Sequence, residues 1–539
     1  MADYYTLAAH SDSRFADTYA GMAGLFRRLG SFGSGAGENG GKASRTGTSK
    51  GTSKGTGQGA GKGAGPSFVL PYHLPYHATL LPTGRRAGAG ADVTPVPTPS
   101  SLLPYVRGRA AEDGALACEF TDPTEFVTAV LTTRPAYRIE WPGWLRTRLA
   151  GRLEEIARLQ FGVTLCVTPT LVSSGRGTAA GRNGPTVAAA AEGAQPEAAQ
   201  GARRPQTGRN EPMTELPARF TCAWNSYVGA VHGALTAAGL TERDFTDLMG
   251  LTGMAFHLIM HEECCPSSVT MYPWTEEHLT ALDRIGVLSE AWTVMPDSVT
   301  YEAARRRATL NIKASLDSGL PVILWGVDTA EFGVVHGYDD GDGVFLVDGC
   351  WRMGTRGTPS NPILYENVGR SCHVPILFYQ NPVERVAFDE GRAYRESLLY
   401  YAQHMSSPAH FGPAYKGGLS AYDNWLRALE GGKFIPFGVR YNGTVYAESK
   451  DAAAAYVARL AENWDPALRP TAKTFAQVAA VYAEMMRVLG HSPAEGKVDL
   501  GAPVTDRQVA DLTPLVRQAK LLEGTAVRQV QEFLAKERA

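Results

Sequence analysis

Three residues in the middle of the chain have the types and spacing for nucleophilic chemistry on a carbonyl group: Cys222, His336 and Asp348. Cys222 follows Thr221 and opens a stretch to Leu240 with Val228, Val231 and Leu235 on one helical face. The spacing predicts a helix over 222–240 with Thr221 as its N-cap. At such a start the unpaired backbone N–H groups and the helix dipole favour a thiolate over a thiol, and the same donors can hold an oxyanion. Downstream, Gly333-Val-Val-His336-Gly-Tyr-Asp-Asp is followed by Gly341-Asp-Gly and then by Val344-Phe-Leu-Val-Asp348. A three-residue loop over 341–343 sets Asp340 opposite Val344 and, counting outward, His336 opposite Asp348. Directly opposed side chains share a face with Cβ atoms roughly 5 Å apart. A carboxylate there accepts the imidazole N–H, sets the tautomer and leaves the other nitrogen as a base.

Other groupings compete for attention. His257-Leu-Ile-Met-His261-Glu-Glu-Cys264-Cys265 would suit zinc if it were helical, with two histidines one turn apart and a thiolate nearby. The segment also alternates as a strand does, and residues four apart in a strand are roughly 13 Å apart, too far for one ion. No second His/Cys cluster completes a structural site, so neither metal nor cofactor is expected. Asp339, Asp340 and Asp342 read as turn formers rather than calcium ligands, and His232 and His373 as packing or surface residues. Gly61-Lys62 is not a phosphate loop, because Thr56 stands where the first glycine belongs and Gly63 where Ser or Thr does.

Composition and periodicity indicate the scaffold around these residues. A chain of 539 residues with 44% apolar residues implies two or three domains. Its 59 glycines and 33 prolines concentrate in stretches that cannot bury a core. A short helix is expected within 1–30, a low-complexity and Pro-rich, largely disordered region over 31–107, a small α/β module over 115–171 and a disordered linker over 172–213. The module should contain strands 116–120, 137–141 and 163–167 and helices 122–133 and 144–159. The core domain, 214–385, places helices first (222–240, 242–249, 275–285, 300–319) and then strands 322–327, 332–338 and 344–348, an α+β order. From 386 to 539 the pattern is helical, with candidates over 389–404, 418–429, 449–463, 472–489, 506–521 and 524–537.

Lys plus Arg (52) nearly cancels Asp plus Glu (54), which argues against a dedicated nucleic-acid binder. No run of about 18 apolar residues is present, so no membrane partner is expected. Without a basic, apolar start the N-terminus does not read as a secretory signal, and the seven cysteines form no Cys-x-x-Cys pair. A cytoplasmic protein with reduced thiols is expected.

A cysteine at a helix start, then a strand of the form apolar-His-Gly-Tyr-Asp-Asp and a subsequent Val-Asp, resembles the bacterial papain-like cysteine enzymes, among them the double-glycine leader peptidases. Leu248-Met-Gly-Leu-Thr-Gly-Met-Ala-Phe256 further resembles the N-terminal domain of butirosin biosynthesis protein H and its relatives. The segment from Gly418-Leu-Ser-Ala-Tyr-Asp-Asn-Trp is similar to the region C-terminal to that domain in such relatives. The resemblance spans about residues 214–465 and implies a papain-like α+β core followed by an all-helical C-terminal region. It places 257–265 in a strand or loop beside the cleft, and implies Cys222 as nucleophile, His336 as base and Asp348 as its orienter. Family peptidases carry a Gln shortly before the cysteine, whereas 214–221 holds no Gln or Asn, so Asn225 is a substitute oxyanion donor, with Tyr338 a further oxyanion or substrate contact. The expected function is thiol-dependent acyl chemistry, as amide hydrolase or acyltransferase, on a small molecule or peptide, with an acyl carrier protein as a donor implied by resemblance alone. The alternative is a papain-like module that binds a ligand or protein without catalysis.

Overall fold

The computed structural model describes residues 75–83, 98–110, 114–133, 137–161, 213–296, 298–350, 360–370, 374–407, 413–491 and 498–536. The helix expected within 1–30, the low-complexity run over 31–65, the strand over 163–167, most of the 172–213 linker and His373 lie outside them. Among the described residues, no helix is long and apolar enough to cross a membrane.

The chain divides into two compact units. The smaller comprises residues 75–213 with 339–343. Strands β1 (Tyr76–Pro82), β2 (Val106–Arg109), β3 (Leu116–Phe120) and β4 (Tyr137–Trp141) form a sheet in the order β2-β3-β1-β4, joined by helices α1 (Pro123–Leu131) and α2 (Gly143–Phe161). Asp122 caps α1 by accepting from Thr124 N and Glu125 N. β1 and the first two residues of β2 come from the region expected to be largely disordered, which is a correction. Pro75 precedes β1 and Pro82 is its last residue, so neither proline falls inside the strand. Tyr76, Ala78 and Leu80 between them alternate inward and pair antiparallel with Phe120, Cys118 and Leu116 of β3. The turn 339–343 belongs to this unit, where Asp339 Oδ1 accepts from Gly341 N (2.8 Å) and Asp342 N (3.1 Å), and Asp342 Oδ2 accepts from Trp144 N (3.1 Å).

The larger unit joins mixed helix and antiparallel sheet to a helical C-terminal region. Its sheet runs β11 (Ile363–Leu364), β10 (Val344–Asp348), β9 (Phe332–Asp339), β8 (Val322–Trp325), β12 (Leu377–Arg385), β7 (Val287–Val294), with β5 (Met213–Glu215) against β9. The strands expected over 322–327, 332–338 and 344–348 are its centre. The long antiparallel pair β7–β12 was not among the expected strands. Alternate residues of the central strands feed two cores. Ile323, Trp325, Val334 and Phe378 join α3 (Ser226–Ala237), α4 (Phe245–Leu251) and α5 (Trp274–Arg284) on one side. Val322, Leu324, Val335 and Leu377 pack with Ala308, Ile312 and Leu316 of α6 (Tyr301–Asp317) on the other. Every residue of β8 is therefore buried.

The boundary expected near 385 does not separate compact units. The core that holds Tyr227 and Val231 continues without a break through α7 (Glu390–Ser406), α8 (Ala421–Glu430), α9 (Pro436–Asn463), α10 (Arg469–Val488) and α11 (Asp506–Lys536). The strand β6 (Ile259–His261), in the segment expected as strand or loop, pairs antiparallel with β13 (Tyr415–Gly417). Asn442 of α9 donates to the carbonyls of Cys264 (3.2 Å) and Cys265 (3.0 Å). Two expected helix ends also differ. α9 starts at Pro436 rather than 449, with proline at a first-turn position where its missing N–H costs nothing. The two helices expected over 506–537 are one, α11, which carries Pro514 inside it.

Candidate active site

The segment from Leu216 to Asn225 carries Cys222, and its course explains which residues hold the chain that leads to it. Leu216 N donates to His336 O (2.7 Å), fixing the segment's start against β9. Thr221 N donates to Gly229 O (3.2 Å), laying its middle on α3. This approach requires glycines on that helix face: a Cβ at Gly229 would stand 2.6 Å from Thr221 O, and one at Gly233 only 1.9 Å from Arg219 O. Phe220 N donates to Asp348 Oδ2 (2.8 Å), and the Thr221 hydroxyl lies 2.7 Å from His232 Nδ1. Two residues of extended chain span at most about 7 Å, so the Cys222 backbone stays within that reach of the Asp348 clamp at Phe220.

Cys222 does not open the helix as the spacing predicted. α3 begins at Ser226, and its N-cap is Asn225, whose side chain accepts from Val228 N (3.0 Å). Thr221, the expected cap, turns its hydroxyl to His232 instead. Asn is among the best N-cap residues, and moving the start four residues downstream leaves Cys222 in a loop with an exposed side chain. Asn225, the expected oxyanion donor, commits its side-chain oxygen to the cap and its backbone N–H to Glu448 Oε2 (2.7 Å). Tyr338, the other expected contact, donates its hydroxyl to Asp317 Oδ1 (2.8 Å) on α6 and has Lys313 over its ring.

His336 is buried on β9, with Nδ1 3.5 Å from Arg219 Nη1 and 3.8 Å from Glu215 Oε1. Burial, with Arg219 beside it, lowers the imidazole below its ordinary value, while Glu215, Asp348 and a hydrogen bond with the Val347 backbone oppose that shift. The hairpin turn holds four residues, 340–343, between β9 and β10, one more than the loop from which the His336–Asp348 pairing was counted. Asp348 reaches His336 as a charge, and its Oδ2 holds the backbone of the cysteine segment.

Among the described cysteines, Cys118, Cys264 and Cys265 are buried, Cys350 is half-buried and Cys222 is exposed. Burial pushes the Cys118 thiol up to about 12 and raises those of Cys264 and Cys350, the last also through Glu331 and Asp328. The residues weighed for zinc diverge. His257 stacks on His404 (4.6 Å between centroids) and hydrogen-bonds Tyr400, whereas His261 Nδ1 accepts from Glu263 N (3.0 Å) and its ring meets the edge of Tyr415. Among the described residues, no group of three or more His, Cys, Asp or Glu is arranged to hold a metal.

Several partners of the segment that follows Cys222 were not found from the sequence. Glu448 accepts from Trp224 N (2.9 Å) and Asn225 N, and burial raises its carboxyl above the usual range. Glu331 accepts from the Ser226 hydroxyl (2.6 Å) and from the Tyr441 hydroxyl, and its burial raises it too. Tyr441 and Glu448 are seven residues apart, two turns along one face of α9, a spacing that would have been legible had that helix been started at Pro436. No protein-family model matches the chain, and no curated protein matches it.

Proposed function

We propose that this protein carries out thiol-dependent acyl chemistry on a papain-like core, with Cys222 as nucleophile and His336 as base. The observation that carries the reading is the exposed thiol of Cys222 on a segment clamped to both His336 and Asp348, while the other described thiols are buried or half-buried. A neutral His336 can take the thiol proton, the thiolate attacks an amide or thioester carbonyl, and the amine or thiol departs with the proton returned by His336, leaving an acyl-enzyme that passes its acyl group to water or an amine. The substrate is a small molecule or peptide, and the likeness to butirosin biosynthesis protein H makes an acyl carrier protein the first donor to screen.

Site-resolved alkylation of the folded chain near pH 6, read by peptide mass spectrometry, tests this. Cys222 should label far faster than the other cysteines and lose the advantage in His336→Ala but keep it in His232→Ala. Labelling at the rate of a free thiol would overturn the catalytic reading. It would favour the second one, a papain-like module that binds a ligand without turnover. One observation supports that alternative: the N–H groups of Trp224 and Asn225, two and three residues beyond Cys222, already hold a carboxylate.

A further inference from the structure

We propose that Glu448 of α9 is a positioning residue for the Cys222 thiol, so that the C-terminal helical region is a built part of the site. This inference rests on the thiol chemistry proposed above.

The geometry is specific. The two oxygens of one carboxylate accept from two consecutive backbone N–H groups, Trp224 (2.9 Å) and Asn225 (2.7 Å). These donors lie upstream of α3, whose first turn starts at Ser226 and is already capped by the Asn225 side chain. Glu448 therefore takes the N–H of the N-cap residue itself and that of the residue before it, and none from the first turn of α3. It fixes the turn between Cys222 and the cap, two residues beyond the thiol. The same helix grips the next residue from a second point, because Tyr441 donates to Glu331 and Glu331 accepts from the Ser226 hydroxyl. That hydroxyl in turn accepts from Phe332 N (3.2 Å), at the start of the strand that carries His336. Residues 224–226 are thus held by α9 directly through Glu448 and indirectly through Tyr441 and Glu331, with a link to the His336 strand. Cys222 itself lies between this grip and the Asp348 clamp at Phe220.

The arrangement has a chemical consequence. The N–H groups of Trp224 and Asn225 are occupied, so an oxyanion formed at Cys222 draws on other donors. What Glu448 supplies is placement: charge-assisted hydrogen bonds hold the loop in one conformation without a contact to the reacting atoms.

Two readouts on the full chain test this, in wild type, Glu448→Gln and Glu448→Ala. The first is hydrogen exchange of the amides over 222–226, and the second is the alkylation rate of Cys222. The Ala variant should speed exchange at Trp224 and Asn225 about tenfold or more, the loss of at least one hydrogen bond to a charged acceptor. Cys222 alkylation should fall about tenfold as the thiol leaves its position. The Gln variant, which keeps one acceptor oxygen and the side-chain volume, should recover part of both losses. Exchange and labelling unchanged from wild type in Glu448→Ala would overturn the proposal. So would faster exchange spread evenly over α3 and α9, which marks a general loss of packing. If wild-type Cys222 labels no faster than a free thiol, the acyl-chemistry reading fails, and the local exchange pattern alone still decides whether Glu448 holds the loop.

Discussion

Asp348 is assigned two tasks by its position, and a pair of substitutions separates them. Its Oδ2 accepts from Phe220 N at 2.8 Å where both groups are buried, and its charge also reaches His336. A hydrogen bond to a charged acceptor contributes about 1.5–3 kcal/mol, and about 1.4 kcal/mol is tenfold in an equilibrium. Asp348→Ala orphans the Phe220 N–H, so opening of the segment before Cys222 becomes easier, and exchange of that amide should accelerate about 10- to 150-fold. Asp348→Asn keeps an oxygen to accept the same N–H as a neutral bond, worth about 0.5–1.5 kcal/mol, so exchange should accelerate by less than about tenfold. On the His336 side, Glu215 outranks Asp348 among the charges acting on the ring. Cys222 alkylation should therefore fall steeply in Asp348→Ala and keep most of its rate in Asp348→Asn. Hydrogen exchange by mass spectrometry and alkylation on the same samples report both. An unchanged Phe220 amide in Asp348→Ala would refute the clamp. Equal loss of labelling in the two variants would show that orientation of His336, and not placement of the cysteine segment, is what Asp348 contributes.

Two further predictions concern buried charge. Lys450 of α9 and Glu523 of α11 are 1% and 0% exposed with Nζ 2.7 Å from Oε1, an ion pair off hydrogen-bond alignment, and Tyr401 donates to the other Glu523 oxygen. Lys450→Met should cost about 3–5 kcal/mol by leaving the carboxylate uncompensated, and adding Glu523→Gln should restore most of it. Urea unfolding followed through exchange of α9 and α11 peptides measures this, and additive costs in the double variant would contradict it. Burial raises the Glu331 carboxyl, so its contribution to stability is present below its unfolded value near 4.3 and is lost as pH rises through the folded one. Glu331→Gln, which can accept from one hydroxyl and donate to the other, should remove that slope. A pH series of unfolding midpoints for both proteins checks it, and parallel curves would disprove the assignment.

Local chemistry made much of this legible from the amino acids. The strand at 344–348, the helix expected over 122–133, the module strands at 116–120 and 137–141, and the helical C-terminal region can be read from periodicity, which acts over a few residues. Cys222, His336 and Asp348 could be singled out for the same reason, since residue type and turn spacing are local. Tertiary structure decided the rest. Whether Thr221 or Asn225 caps α3 depended on His232 and on the glycine face that receives Phe220 and Thr221. That the region after 385 shares one core with the sheet depended on α9 packing back on 248–265, contacts separated by nearly two hundred residues. The partners of the cysteine loop, Glu448 from α9 and Asp348 from β10, are likewise distant in sequence. A carboxylate announces in its own segment that it can accept a hydrogen bond, but which N–H it reaches is set only when the helices and the sheet close around a common core.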